Sequence, residues 1–129
     1  MKKSFVHGTR QKEHGYSAAV VTDGASRIVW LAGHSGQTAD DGRSLAGDFD
    51  AQCRQTFRNI EKTLRQAGCE LSDLVTTTTF LIDARYTVRM RELRAEFLPK
   101  DFPGSAAITV SGFADPTMMI EIQGFAVPA

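Results

Sequence analysis

The sequence predicts an α+β fold: a mixed β-sheet with two helices on one face, in the order β-β-α-β-α-β-β. Three observations carry this. Apolar residues recur at helical spacing between residues 49 and 67. Runs of β-branched and apolar residues, bounded by turn formers, lie on both sides of that stretch. A second helical segment separates two of those runs and ends at prolines. With 129 residues, the chain suits one domain spanning residues 1–129 around one core.

Residues 17–22 and 27–32 are expected as strands, joined by a four-residue hairpin connection that holds Asp23-Gly24. A short strand near Ser4–His7 could precede them. The glycine-rich segment Gly33–Gly47 is expected as loop. Asp48 then suits the N-cap of a helix, with Asp50 favourable in its first turn. Phe49, Cys53, Phe57, Ile60, Leu64 and Ala67 line one face of that helix. Gly68 supplies the left-handed residue that commonly ends one. Leu74–Ile82, with four consecutive threonines, suits a strand. Asp83 is placed to cap a second helix from about Tyr86 to Leu98, with Met90, Leu93 and Phe97 inward. Arg89, Arg91 and Arg94, with Glu92 and Glu96, are expected on its wet face. Strands at Ala106–Val110 and Thr117–Val127 complete the order.

In the last strand Met118, Ile120 and Ile122 point one way, and Met119, Glu121, Gln123 and Phe125 the other. Both faces are substantially apolar, yet two helices cover only one. A second copy of the chain is the economical cover for the other, which places Glu121 on or near an interface.

The bulk composition narrows the function. Fifteen basic residues balance fifteen acidic ones, so no basic excess favours nucleic acid as a partner. No apolar run approaches the roughly 20 residues that span a bilayer, and no apolar segment follows Lys2-Lys3 as in a secretory signal. A cytoplasmic protein with neither nucleic-acid nor membrane partners is expected. Cys53 and Cys69 would stand about 24 Å apart along one helix, too far for a disulfide. Cys53 belongs to the apolar stripe. No cysteine or histidine spacing suits a metal.

Five segments carry a resemblance. Gly15-Tyr16-Ser17-Ala18-Ala19-Val20, Ser35-Gly36-Gln37, Gln52 through Asn59-Ile60 to Leu64 and Ala67-Gly68, Phe102-Pro103-Gly104-Ser105-Ala106 and Ile120-Glu121-Ile122 stand in order at compatible spacings. Together they resemble the Rid (reactive intermediate deaminase, YjgF-type) family, also known as endoribonuclease L-PSP, over about Gly15–Ala126. The resemblance implies a chorismate-mutase-like fold, a homotrimer with clefts between subunits, and hydrolysis of an enamine or imine to a carbonyl compound and ammonia. It implies no metal or cofactor held by the protein.

Residue by residue, it implies a water-orienting role for Glu121, whose carboxylate can take a proton from water. The plain alternative is an inter-subunit or solvated strand residue. Tyr16 matches a cleft tyrosine, or is a packed aromatic. Ser35 and Gly36 match a substrate-contacting turn, or are only a turn. Ser105 stands where the family has its carboxylate-clamping arginine, and Ala107 where many members have cysteine or threonine. A single neutral hydroxyl cannot replace a bidentate guanidinium, so an atypical small-molecule substrate is expected. If this exchange alone removed ordinary deaminase activity, Ser105→Arg would restore some.

Arg10, Arg85 and Arg89 are candidate replacements, each also readable as a solvated arginine. His34 borders the expected cleft, but its neighbour Ser35 would point to the opposite face. A noncatalytic trimeric binder or regulator of small metabolites is the alternative to a hydrolase. Ribonuclease activity lacks both a basic surface and a His/Lys cluster.

Overall fold

The computed structural model describes residues 1–129. Strands β1 (Lys2–Val6), β2 (Ala19–Asp23), β3 (Val29–His34), β4 (Leu74–Leu81), β5 (Gly104–Thr109) and β6 (Ile120–Ala126) alternate with helices α1 (Thr9–Glu13), α2 (Phe49–Gln66) and α3 (Thr87–Arg94). The expected order holds from β2 onward. The N-terminal strand forms at Lys2–Val6, followed by a short helix that no apolar periodicity announces.

β3, β6, β4 and β5 form one sheet in that order, with β4 and β5 parallel and the other pairs antiparallel. β3 and β4 both run against β6, so β3-α2-β4 and β4-α3-β5 are successive crossovers between parallel strands. Two right-handed crossovers stepping the same way across a sheet carry their helices to the same side. The core accordingly joins Phe57, Ile60 and Leu64 of α2 and Met90 and Leu93 of α3 to Leu74, Leu81, Ile120 and Ile122 of the sheet.

The expected hairpin between residues 17–22 and 27–32 does not form. β2 pairs with β1, Val20 opposite Phe5, whereas β3 pairs with β6, Trp30 opposite Phe125. Gly24 does adopt the turn conformation, with φ of +73°. A turn signal permits a hairpin without compelling one. The entry to β2 is held at the other edge of the larger sheet, where the Ser17 N–H and hydroxyl donate to the carbonyls of Pro103 and Phe102.

Local chemistry sets the helix ends. Asp48 accepts from the Ala51 N–H at 3.0 Å, and Gly68 follows α2 with φ of +76°. Asp83 caps a 3₁₀ turn at Ala84–Tyr86 rather than α3 itself, accepting from the Arg85 N–H at 2.8 Å. Inside the core, the Gln52 amide donates to the carbonyls of Leu45 and Thr117 at 3.1 and 2.8 Å and accepts from the Met119 N–H at 2.9 Å. It fastens α2 to the approach to β6 without an unpaired polar atom. Cys53 and Cys69 are free thiols, and burial pushes Cys53 up to about 12. No helix is long and apolar enough to cross a membrane.

Candidate active site

A cavity of about 180 Å³ opens between α3 and the β5 edge, lined by Tyr16, Thr87, Met90, Arg91, Arg94 and residues 105–107. Parallel pairing sets Ser105 and Ala107 opposite Thr77 and Thr79, whose side chains are buried on the helix side of the sheet. Tyr16 reaches the same place because Ser17 bridges to Gly104. Tyr16 thus converges with Ser105 and Ala107, which lie far along the chain from it.

Arg94 joins them. Its charge suggests a place on the wet face, but it is only 4% exposed. Nη2 donates to the His14 carbonyl at 2.7 Å and Nη1 to the Ser105 hydroxyl at 3.2 Å. Burial, and then the charge of neighbouring Arg91, draw its pKa below the ordinary guanidinium value. Guanidinium pKa values lie so high that it stays charged. Helical spacing carries the signal for this placement. Arg94 is four residues after Met90 and three before Phe97, within the width of an inward helical stripe.

The three arginines singled out as replacements stay outside. Arg10 is exposed on α1. Arg85 pairs with Asp83 at 2.7 Å with a side chain 90% exposed, and Arg89 is shared between Asp50 and Glu92 at 2.6 and 2.7 Å.

Glu121 does not line the cavity. It lies opposite Phe80, on the sheet face away from the core, and its carboxylate packs over Gly33. Ser35 and Gly36 follow β3, at the far edge of the sheet from β5. The Ser35 carbonyl accepts from the Asn59 amide at 2.8 Å. A Cβ on Gly36 would stand 2.3 Å from the Gln52 carbonyl oxygen and 2.7 Å from the Thr56 nitrogen. Close packing on α2 therefore accounts for this glycine. Both nitrogens of His34 are engaged, Nδ1 with the Ala32 carbonyl and Nε2 with the Thr63 hydroxyl, each at 2.8 Å. Within the chain the candidate residues thus form two groups, Tyr16, Ser105 and Ala107 at one edge, and Glu121, Ser35 and Gly36 towards the other.

Such a mixed sheet with two main helices and an edge cavity defines an α+β protein of the YjgF type. The Endoribonuclease L-PSP family model matches residues 9–128, and the chain belongs to that family, the Rid/YjgF/L-PSP proteins. A RutC family protein of Pyrococcus horikoshii is 31% identical, over 86% of this chain and 85% of its own length. The human 2-iminobutanoate/2-iminopropanoate deaminase is 28% identical, over 87% of this chain and 79% of its own. Among solved structures, a Rid family protein of Yersinia pestis superimposes with a TM-score of 0.84 at 23% identity, covering 98% and 99% of the two chains. RidA from an Antarctic Psychrobacter gives 0.72 at 28% identity, covering 87% of each.

Proposed function

We propose that this chain hydrolyses a small imine or enamine to a carbonyl compound and ammonia, in clefts completed between the protomers of a chorismate-mutase-like homotrimer. The convergence of Tyr16, Ser105 and Ala107 on one cavity carries this reading. Distant relatives named as 2-iminobutanoate/2-iminopropanoate deaminases support it.

The chemistry needs little machinery. Protonation of an enamine carbon gives the iminium, and water adds to its carbon. One of the water's protons passes by way of a base to nitrogen, and the C–N bond breaks. The carbonyl forms as its hydroxyl gives up the remaining proton, which leaves with the ammonia as ammonium. Glu121 is the proposed base that takes and returns the first of these protons. Its carboxylate also favours the positive charge on the iminium. Tyr16 walls the cavity, and Ser105 offers a polar contact.

Glu121 and the Ser35–Gly36 turn stand apart from the cavity, so the reaction centre must be composite. The exposed Trp30–Phe125 face of the sheet is the surface proposed to meet other protomers. Their assembly sets the β3 side of one protomer against the β5 edge of another. That same separation favours a second reading, a trimeric binder of small metabolites that never turns them over.

Ammonia release from freshly generated 2-aminoacrylate and bulkier enamines tests the proposal. Turnover by the wild type, falling roughly a hundredfold or more in Glu121→Ala, supports hydrolysis. No turnover across the panel, with the oligomer intact, sinks hydrolysis and leaves the binder.

A further inference from the structure

Arg94 presents a physical problem that the fold alone does not solve. Its guanidinium is almost fully buried, yet none of the protein's ion pairs includes it. Neutral oxygens are its only acceptors, the His14 carbonyl and the Ser105 hydroxyl. A guanidinium carries more N–H donors than these two use. A buried charge without a partner is costly, and proteins retain one where something else supplies the opposite charge.

The surroundings deepen the imbalance. Arg91, half-buried and also without an ion pair, lines the same cavity one helical turn away. A smaller cavity of about 80 Å³, bounded by Gly15, Leu98 and Phe102, touches both arginines as well. No acidic side chain lines either space.

We propose that Arg94, flanked by Arg91, is the anion-binding group of this cleft, and that the ligand it holds is a short-chain carboxylate. The volume of about 180 Å³ is that of roughly six water molecules, which suits a small acid and excludes a nucleotide. A planar guanidinium matches a carboxylate bidentately. What the carboxylate is attached to, an imino or enamine carbon, rests on the hydrolase reading above.

Ser105 takes a different part from the one its sequence position suggests. Its Oγ accepts from Arg94 and lies 3.3 Å from Thr77 Oγ1. It is a positioning residue, holding Nη1 at the cavity wall. Ser105→Arg, expected from sequence to restore some activity only if that exchange alone had removed it, would instead press a second guanidinium against the first.

Titration of the full-length protein with 2-oxobutanoate, a product-like acid, alongside the uncharged ketone butanone, tests the assignment. The wild type should bind the acid in preference to the ketone. Arg94→Gln should raise the dissociation constant for the acid roughly ten- to a hundredfold and leave the ketone unaffected. Ser105→Arg should weaken acid binding too. Where Arg94→Gln fails to fold, Ser105→Ala, which frees one anchor without burying anything new, should raise the constant severalfold.

Equal acid binding by wild type and Arg94→Gln overturns the proposal, as does tighter binding by Ser105→Arg or no binding by the wild type. Imine turnover with KM unchanged in Arg94→Gln refutes this anion site and spares the hydrolase. Arg94-dependent acid binding without any turnover does the reverse.

Discussion

Gly36 shows how a motif residue can owe its identity to packing. It stands in a Ser-Gly turn that suggests contact with substrate, but the backbone of α2 occupies the space a side chain would need. Gly36→Ala should therefore cost on the order of 2 kcal/mol through overpacking. Denaturant unfolding checks this, and an unchanged stability would return the glycine to a binding role. His34 is similar, its ring spent on joining β3 to α2. Arg94 is the opposite case. Its charge hides a buried position, because a spacing rule that places Met90, Leu93 and Phe97 inward is usually applied to apolar residues alone.

Among the elements, α2 is the best specified. Its stripe is legible by period: Phe49, Cys53, Phe57, Ile60 and Leu64 are buried, while Ala67, past the last turn, is half-buried. Its cap is equally local, since Asp48 meets the Ala51 N–H within one turn. Asp48→Ala should cost about 1 kcal/mol in chemical denaturation. Arg89→Ala, which breaks ion pairs of a half-exposed side chain, should cost less than that. If Arg89→Ala proved the more damaging, α2 and α3 would depend on that surface pairing more than on their packed face. α3 is harder to delimit because Asp83 caps the preceding 3₁₀ turn, so a sound capping signal marks the wrong start.

At the scale of the molecule, the sheet has one face on the core and another that exposes Trp30 and Phe125, at 69% and 39%. Their rings meet edge to face at 4.7 Å across β3 and β6. The proposed assembly would cover these aromatic residues. If the proposed trimer forms through this face, Trp30→Glu should give slower-sedimenting, monomeric species, with little loss of secondary structure. A wild type that sediments as a monomer would remove the composite cleft and with it Glu121 as the base.

By itself, the sequence determined the order of the main elements from β2 onward, the inward stripe of α2, the inward side of β6 and, through five short motifs, the family. These depend on local periodicity and on residues whose conformational preferences act within a turn or two. Only the tertiary structure decided which strands pair, that β2 joins β1 rather than β3, and that Arg94 meets Ser105 at the wall of a cavity. Pairing and convergence are contests between distant segments for the same hydrogen bonds and the same core. No local pattern records which segment wins.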